Sequence, residues 1–516
     1  MKTQKWLLIA YMSIASTAMA NTWIVDDDGK ADFTNIQTAV DAATNGDEII
    51  VRPGTYTSTA QQVVDFLGKT ITLRSSHGAN ATFIDGENIR RCVVFTSGET
   101  VLTVLDGFTL TRGNTESSSK FGGGGIFCST SSPTIENCTI SDNTSNGLFF
   151  GGGGILCTDY SSPLISNCLI TNNYAGASFD GGGGGVSIGD YSNPTFNTCT
   201  ISFNTTLNSK PGGGVYIINN CHPEFISTRI MNNSGYTGGG IYCGVDSDFN
   251  ITGGAITDNT ATTDGGGVLC DQHGQGSVMY PSFYSCTVNS NTAGGSGGGA
   301  HFTGANEPMF YECFIIENTA QSTSGSGGGG GIYYASSSEF YSPTLSLIHC
   351  EIDINESQSR GGGILCSGFH NTNLEYSRFT NNTAVLGGGI SIYGSLLATI
   401  TDCEIQYNSA TDDGGGLHHQ PSDGIPQWDE PVLARNLFCS NTPNQISGVY
   451  NDNGDNVIAE DCCPADITGD AVVDVNDLLA VIDQWGSTDS PADIYADGIV
   501  DVNDLLMVVG NWGGCP

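Results

Sequence analysis

Residues 151–173, GGGGILCTDYSSPLISNCLITNN, hold the pattern that decides the fold. A glycine block comes first, and apolar residues then alternate with polar ones at a period of two, which is typical of β-strands. The alternation runs through Ile155-Leu156-Cys157 and Pro163-Leu164-Ile165, and it changes phase before Cys168-Leu169-Ile170. A change of phase means that one face ends and another begins. The stretch therefore predicts three very short strands joined by corners.

The same unit recurs along the chain at a spacing of 26 to 32 residues, which is typical of stacked repeats. The first apolar residue after each glycine block marks the repeats, at Ile126, Ile155, Val186, Val215, Ile241, Val268, Ala300, Ile332, Ile364, Ile390 and Leu417. One repeat cannot bury its own apolar side chains, whereas repeats stacked at about 4.8 Å let each strand pair with the strands above and below. Because parallel crossovers are almost always right-handed, we expect an all-β fold: a right-handed, single-stranded parallel β-helix with about 11 glycine-rich coils.

An asparagine stands at one fixed place in each coil, three residues after an apolar residue. We expect these side chains to lie at a corner and to hydrogen-bond along the stack, which is a structural role. The column consists of Asn143, Asn173, Asn204, Asn233, Asn259, Asn291, Asn318, Asn355, Asn382, Asn408 and Asn441. The glycines should occupy another corner, where the backbone needs positive φ or approaches the neighbouring coil closely.

Two columns of cysteine follow the same repeat, one after the glycines and one at the start of the third strand. Free cysteine is a small buried hydrophobe, so one interpretation is that these residues fill the core. Disulfides between coils are the other, because the stacking distance lies within the Cα separation that a disulfide permits. The columns are Cys128, Cys157, Cys243, Cys270 and Cys366, and Cys138, Cys168, Cys199, Cys286, Cys313, Cys350 and Cys403.

Composition and the first residues limit the classes of function. Lys and Arg number 15 against 53 Asp and Glu, and a net charge of -38 repels nucleic acid and anionic lipid. Residues 1–20 place Lys2 and Lys5 before an apolar run and end in Ala18-Met19-Ala20, which is typical of a secretory signal peptide. No later apolar run reaches the ~18 residues of a membrane span. We expect a secreted protein, extracellular or at the cell surface, with no transmembrane segment and no nucleic-acid partner.

An amphipathic helix is predicted ahead of the coils, where it would cap the stack. Thr34 followed by Gln37 indicates a capping box. An apolar stripe at helical spacing follows, with Phe33, Ile36, Val40 and Ala43. Asp32 to Tyr56, D-x-x-x-I-Q-x-A-V-D-A-A-x-x-G-D-x-I-x-V-x-x-G-x-Y, resembles a segment of secreted β-helix proteins of the pectin lyase-like superfamily. With the coils, the resemblance covers about residues 23–450, and it implies the fold rather than an activity.

The chain ends in a duplicated loop and helix. DITGDAVVDVND (466–477) and DIYADGIVDVND (493–504) lie 27 residues apart, and each precedes an apolar helix that ends in Trp-Gly. Asp at loop positions 1, 5, 9 and 12 has the spacing of oxygen ligands for Ca²⁺, and position 7 offers its backbone carbonyl. The candidate calcium ligands are Asp466, Thr468, Asp470, Val472, Asp474, Asp477, Asp493, Asp497, Ile499, Asp501 and Asp504. A helical hairpin without metal is the alternative.

This tail resembles a type I dockerin, a calcium module that docks secreted proteins onto cohesins. The resemblance implies a cohesin-like partner protein or a cell-surface receptor. Thr468 and Tyr495 occupy loop position 3, where dockerins usually have Asn or Asp, and Tyr495 should weaken the second site. A disulfide from Cys462 or Cys463 to Cys515 could close the module.

The sequence contains no recognisable catalytic set of the superfamily. Clustered Asp residues with Gly-His-Gly and Arg-Ile-Lys would indicate a polygalacturonase-like enzyme, and this combination is missing. A pectate-lyase-like enzyme needs calcium carboxylates beside an Arg or Lys base, yet residues 121–441 contain only five basic side chains. Asp159-Tyr160 and Asp190-Tyr191 hold the same position in successive coils and are candidates for binding a sugar or calcium. The alternative interpretation is that these are solvent-exposed loop residues without a binding role.

These observations favour a secreted, polysaccharide-associated β-helix protein that is docked through its calcium-binding tail. A polysaccharide lyase or glycoside hydrolase of the same fold is the alternative, and an adhesin-like passenger is a third hypothesis. The expected segments are a signal peptide (1–20), the cap and first coils (21–120), the β-helix repeats (121–445), a polar linker (446–461) and the dockerin-like module (462–516).

Overall fold

The structure is a computed structural model that describes residues 20–514 with short gaps. The gaps are residues 116–118, 177–180, 208, 245, 273–276, 337–341, 369, 395–396, 422–429, 464, 471, 489 and 496–497. The predicted signal peptide lies outside the described residues, apart from Ala20. None of the described helices combines the length and the apolarity that crossing a bilayer requires.

Parallel strands stack into four sheets of 14, 16, 15 and 10 strands, and the chain is a right-handed parallel β-solenoid of about 14 turns. The predicted β-helix is therefore confirmed. The described residues contain three short helices, Ile36–Ala42 (α1), Val475–Asp483 (α2) and Val502–Gly510 (α3). One antiparallel pair, Val472–Val473 with Gly513–Gly514, lies in the tail.

Each full coil contributes one strand to each sheet, and we number the sheets from the glycine corner. Sheet 1 contains Gln62–Asp65, Arg91–Phe95, Ile126–Ser129, Ile155–Thr158, Val186–Ile188, Val215–Ile217, Ile241–Gly244, Val268–Gln272, Ala300–Gly304, Ile332–Ser336, Ile364–Gly368, Ile390–Tyr393, Leu417–Gln420 and Ile446–Ser447. Sheet 2 contains Thr22–Val25, Glu48–Val51, Thr72–Ser75, Val104–Asp106, Thr134–Glu136, Leu164–Ser166, Thr195–Asn197, Glu224–Ile226, Asn250–Thr252, Ser282–Tyr284, Met309–Tyr311, Thr344–Ile348, Asn371–Glu375, Leu397–Thr401, Val432–Ala434 and Asn451–Asp452.

The other two sheets complete the coil. Sheet 3 contains Gly54–Tyr56, Thr82–Asp85, Thr109–Thr111, Thr139–Ser141, Leu169–Thr171, Thr200–Ser202, Arg229–Met231, Ala255–Thr257, Thr287–Asn289, Phe314–Ile316, Glu351–Asp353, Arg378–Thr380, Glu404–Gln406, Leu437–Cys439 and Val457–Ala459. Sheet 4 contains Thr144–Ser145, Tyr174–Ala175, Thr205–Thr206, Ser234–Gly235, Thr260–Ala261, Thr292–Ala293, Thr319–Ala320, Glu356–Ser357, Thr383–Leu386 and Ser409–Asp413. The sequence predicts three strands in each coil, and the short strands of sheet 4 are a fourth that it does not predict.

The residues that mark the repeats in the sequence are register partners in sheet 1. Ile126 pairs with Ile155, Ile155 with Val186, and Val186 with Val215. The first and third residues of these strands point inward and are fully buried, as Ile155 and Cys157 illustrate. Apolar side chains from every coil thus form one continuous core, which runs from Val25 to Phe438.

The glycine corner is a place of backbone contact between coils. Gly152 has a φ of +72°, which glycine adopts without steric cost. A Cβ atom on Gly184 would lie 2.5 Å from the carbonyl oxygens of both Gly213 and Thr205. An L side chain has no room there. Both reasons that the sequence suggests for the glycines, positive φ and close approach, therefore apply.

The asparagine column forms a buried hydrogen-bonded ladder. Asn143 illustrates the pattern: its Nδ2 donates to Oδ1 of Asn173 (3.0 Å) and to the carbonyl oxygen of Leu110 (3.0 Å). Oδ1 of Asn173 also accepts from the backbone N–H of Asn143 (3.1 Å). Every later member repeats these bonds, and Asn441 ends the ladder on Oε1 of Gln445 (2.7 Å). The ladder joins each coil to its two neighbours.

Helix α1 caps the N-terminal end of the stack but begins differently from the prediction. Its N-cap is Asn35, whose Oδ1 accepts from the backbone N–H of Gln37 (2.9 Å). The predicted capping box of Thr34 and Gln37 is wrong, because the Gln37 side chain is used elsewhere. Its Oε1 accepts from the backbone N–H of Asp65 (2.7 Å), and its Nε2 donates to the Asp65 carbonyl (3.0 Å). The side chain of Gln37 thus fastens the cap to sheet 1.

The cysteine columns are thiols in the core. Fourteen free cysteines are buried, in agreement with the interpretation that they fill space. Sγ of Cys286 and Sγ of Cys313 lie 3.6 Å apart without a covalent bond. Burial raises the pKa of the Cys92 and Cys366 thiols to about 12, which keeps them protonated and unreactive at neutral pH.

One disulfide joins the β-helix to the start of the tail. It links Cys439, in the strand Leu437–Cys439, to Cys462. Cys463 is also disulfide-bonded. The predicted bridge from this pair to Cys515 falls on a residue outside the described ones, and for Cys462 the prediction is wrong because its sulfur is bonded to Cys439.

The last strands of sheets 1 to 3 lie within the segment predicted as a polar linker. They are Ile446–Ser447, Asn451–Asp452 and Val457–Ala459. Each pairs in parallel with the strand of the preceding coil. The β-helix thus extends to Ala459, three residues before the disulfide-bonded Cys462.

Candidate functional site

A cavity of about 710 Å³ opens on the outer side of the coils in the N-terminal half of the repeats. We call it the aromatic groove. It is lined by Lys120, Phe121, Phe149, Phe150, Asp159, Asp190, Ser209, Lys210, Pro211, Tyr216, Ile218, Asn219 and Tyr242. Aromatic rings and groups of both charges thus meet in one place.

The aromatic floor comes from the second residue of successive sheet 1 strands, which alternation turns away from the core. Tyr216 and Tyr242 are register partners, and their rings stack with centroids 5.3 Å apart. Phe121 and Phe150, from the loops before the glycine blocks, are joined by a parallel bridge, and their ring centroids lie 6.1 Å apart. With Leu156 and Ile218, these residues form an apolar cluster separate from the main core.

Four charged side chains line the same cavity. Asp159 accepts a hydrogen bond from Oγ of Ser129 through Oδ2 (2.9 Å). Asp190 accepts from Oγ1 of Thr158 through Oδ2 (3.1 Å), and its Oδ1 accepts from an amide. The ammonium of Lys120 lies 4.6 Å from the ring centroid of Phe121, and Lys210 also lines the cavity. Two of the 15 basic residues of a strongly acidic chain therefore face the same space as two carboxylates.

The predicted pair of aspartate-tyrosine steps lies at one corner of neighbouring coils. Asp159, Tyr160, Asp190 and Tyr191 all have positive φ, between 51° and 62°. The rings of Tyr160 and Tyr191 stack with centroids 5.0 Å apart and planes 8° apart, and they are 69% and 49% exposed. The carboxylates line the aromatic groove, whereas the tyrosine rings are not among its lining residues.

Most of the groove is not predicted from the sequence. No motif marks Phe121, Phe150, Tyr216 or Tyr242 as site residues, and Lys210 is one of the five basic residues between positions 121 and 441. A signal was available for Tyr216 and Tyr242, because both stand directly after the residue that marks their repeat. The loops that supply Phe121, Phe150 and Lys210 show no such periodic pattern.

In the tail, the predicted ligands at loop positions 9 and 12 cap the helices. Asp474 and Asp501 are the N-caps of α2 and α3, and Asp477 and Asp504 complete capping boxes. Both position-12 carboxylates are fully buried. Burial alone would raise the pKa of Asp477, but hydrogen bonds from the backbone N–H groups of Asp474 and Thr468 outweigh it and lower the pKa below 3.8.

The remaining predicted ligands lie in the loops. Oδ1 of Asp466 accepts from the backbone N–H of Gly469 (2.8 Å) and Asp470 (3.2 Å), and Oδ2 of Asp493 accepts from that of Gly498 (2.9 Å). Val472 and Ile499 at position 7 are about two-fifths exposed, at 42% and 43%. Thr468 donates its hydroxyl to Asp466 (3.3 Å), and Asp497 lies outside the described residues.

The donor types of these loops fit a hard cation, but the carboxylates that the structure describes are not gathered around one point. Residues 462–516 contain ten Asp and no Lys or Arg, and their oxygens are the ligands that calcium prefers. Within the part of the chain that the structure describes, no three Asp, Glu, His or Cys side chains are grouped as a metal site. The described carboxylates instead accept hydrogen bonds from the loop and helix backbone.

Helices α2 and α3 expose matching apolar faces. Leu479 in α2 and Trp485 just after it are 55% and 51% exposed, and their equivalents, Leu506 in α3 and Trp512 just after it, are 59% and 54% exposed. The opposite faces bury Val481 and Val508 in the small core of the module. The duplication in the sequence thus produces two equivalent apolar surfaces.

A protein-family model agrees with the fold. Residues 69–274 and 124–315 match the family model described as the right-handed β-helix region. Among solved structures, a pectin methylesterase from carrot is similar to this protein. The similarity covers 86% of this chain and 89% of the esterase chain, with 10% sequence identity and a TM-score of 0.18. No curated protein matches the chain. Over residues 69–315, the protein therefore carries a right-handed β-helix region.

Proposed function

We propose that the protein is secreted, binds extracellular polysaccharide in the aromatic groove, and docks through its C-terminal module. The observation that carries the proposal is the meeting of stacked rings with Asp159, Asp190, Lys120 and Lys210 in one cavity. Rings offer flat apolar faces to a ligand, while a few charged groups fix its orientation. Sugar rings combine apolar faces with many hydroxyls, which are both donors and acceptors. The predicted signal peptide supports an extracellular location.

Replacing both groove carboxylates should weaken polysaccharide binding. In Asp159→Asn with Asp190→Asn, the charged acceptors for sugar hydroxyls become neutral amides, and we expect affinity to fall about tenfold or more. Retention on a panel of immobilised polysaccharides measures the effect. Asp142→Asn with Asp258→Asn is the matched control, because these residues also have positive φ but lie at another corner. Unchanged retention of the groove variant would contradict the proposal.

A polysaccharide lyase or glycoside hydrolase is the second candidate function. The observation that favours it is the presence of two lysines beside two aspartates, since such groups can move protons during bond cleavage. Release of unsaturated uronides or reducing ends from the same panel, lost in Asp159→Asn with Asp190→Asn, would identify an enzyme. Binding of polysaccharide without release of these products would favour the non-catalytic function.

The docking part of the proposal is supported by the tail. Its two exposed apolar faces, on α2 and α3, are surfaces that soluble proteins usually cover with a partner. The duplicated loops supply the carboxylate, hydroxyl and carbonyl oxygens that Ca²⁺ binds. We infer that calcium binding organises the loops at the starts of α2 and α3, and that a cohesin-like protein or a cell-surface receptor covers the apolar faces.

Calcium should bind to the full-length protein and stabilise the tail. We expect Asp466→Ala with Asp493→Ala, which removes position 1 of both loops, to abolish calcium uptake, because each loop loses a charged ligand. Isothermal titration calorimetry measures calcium uptake, and the fluorescence of Trp485 and Trp512 reports unfolding of the C-terminal module. Asp483→Ala, in α2 outside the loops, should behave as wild type. Identical wild-type traces with calcium and with a chelator would contradict the proposal.

A further inference from the structure

A second polar cluster lies on the outer side of sheet 1, near its C-terminal end and apart from the aromatic groove. Ser391 and His418 are register partners in neighbouring strands, and two residues further along Tyr393 pairs with Gln420. Ser391 is fully buried and His418 is 8% exposed. Outward positions of a sheet are normally solvated, so burial of these polar side chains calls for partners.

Arg360 reaches this cluster from a neighbouring coil. Its Nη2 donates to Oε1 of Gln420 (2.8 Å), its Nε donates to the carbonyl of Gly325 (2.7 Å), and its guanidinium carbon lies 5.2 Å from the Tyr393 ring centroid. Among the described residues it makes no ion pair within 4.0 Å, although the chain contains 53 acidic residues. The guanidinium thus has no ion-pair partner of its own among the described residues, and Asp413 is the acidic residue whose charge acts on the neighbouring His418.

Three buried polar atoms of the cluster have no hydrogen-bond partner among the described residues. They are Nη1 of Arg360, Oγ of Ser391 and Nδ1 of His418. Burial lowers the pKa of His418, and the positive charge of Arg360 lowers it further, so the imidazole is neutral at neutral pH. The bond from Arg360 to Gln420 holds the guanidinium over the strand Leu417–Gln420, which also contains His418. Buried polar groups are almost always hydrogen-bonded, so three unpartnered atoms in one place indicate a bound group.

We propose that Arg360, Ser391 and His418 bind the carboxylate group of a small acid. A carboxylate accepts hydrogen bonds on two oxygens, and a guanidinium, a hydroxyl and an imidazole N–H are suitable donors. Its negative charge would also balance Arg360. A water molecule could satisfy the polar atoms but would leave Arg360 without an ion-pair partner. The burial of Ser391 restricts the ligand to a small anion rather than a polymer in an open groove.

Thermal unfolding of the full-length protein in acetate tests the site. Sodium acetate replaces sodium chloride at constant ionic strength and neutral pH, and the wild-type Tm should rise and saturate. Arg360→Gln removes the charged donor, and we expect the apparent acetate affinity to fall about tenfold or more. Arg229→Gln, an exposed arginine in the strand Arg229–Met231, is the matched control and should respond as wild type.

Two outcomes of this experiment would contradict the proposal. A general effect of acetate would shift the three proteins equally, and this result would overturn the proposal. A wild-type Tm that does not depend on acetate would also overturn it and would favour water in the site. If Arg360→Gln does not fold, Ser391→Ala replaces it, with line broadening of ¹³C-acetate by the protein as the readout. Broadening equal to that of wild type would then refute the site.

Discussion

Replacing Gly266 with alanine is expected to destabilise the β-helix severely. The new Cβ would lie 2.4 Å from the carbonyl oxygen of Gly298 and 2.6 Å and 2.7 Å from backbone atoms of Thr292. These neighbours are main-chain atoms on two sides, so neither can move without breaking strand pairing between coils. We expect a loss of about 3 kcal/mol or more in the free energy of unfolding. Denaturant unfolding followed by circular dichroism measures it.

Gly325→Ala is the matched control for this prediction. A Cβ there meets no atom within 4 Å, and its φ lies outside the left-handed region. We expect a change within about 0.5 kcal/mol, as for most surface substitutions. Equal stabilities of the two variants would show that the coils do not approach each other at the glycine corner as described.

Asn291→Ala is the second substitution with a large expected effect. Oδ1 of Asn291 accepts from the backbone N–H and Nδ2 of Asn259 (both 3.0 Å), and its Nδ2 donates to the carbonyl of Ile256 (2.9 Å) and to Oδ1 of Asn318 (3.0 Å). Alanine would leave several of these buried groups without partners. Each unsatisfied group costs about 1–3 kcal/mol, so we expect a total loss of at least about 3 kcal/mol. Thermal and denaturant unfolding both report it.

Asn250→Ala separates the ladder from asparagine in general. Asn250 is exposed at the start of a sheet 2 strand, and its loss should change the unfolding free energy by no more than about 0.5 kcal/mol. A similar small effect for Asn291→Ala would mean that water replaces the missing amide, and that the ladder adds little to stability.

The coil and its register could be predicted because two signals coincide. Glycine blocks mark the corner at a near-constant period, and the residue after each block begins a strand that pairs with its equivalents, as Ile126 does with Ile155. The asparagines confirm the period from an independent position. The hydrophobic alternation then assigns inward and outward faces, since a slip of one residue would expose the core.

The parts that escaped prediction lack such a periodic apolar signal. Sheet 4 consists mostly of two-residue strands such as Thr144–Ser145, too short to show alternation. Helix α1 begins one residue later than expected, because the choice between Thr34 and Asn35 as cap depends on where Gln37 bonds in the folded chain. The strands after residue 445 are only two or three residues long, and their pairing depends on the coil beneath them.

The candidate site was predictable only in part. Repetition placed Asp159 and Asp190 side by side, because both follow the same strand of neighbouring coils. The lysines and phenylalanines arrive from loops of unequal length, and their positions depend on packing outside the repeat. The Arg360 cluster was equally hidden, since that side chain reaches Gln420 across 60 positions of sequence.

The bond between Cys439 and Cys462 defines how mechanical force would travel through the molecule. Tension applied to a docked tail would enter the solenoid at Cys439, a buried position of sheet 3. The intervening chain, including the final three strands, would then form a slack loop that bears no load. Tension on the tail would therefore act first on the coil that contains Cys439, and the last three strands would be bypassed.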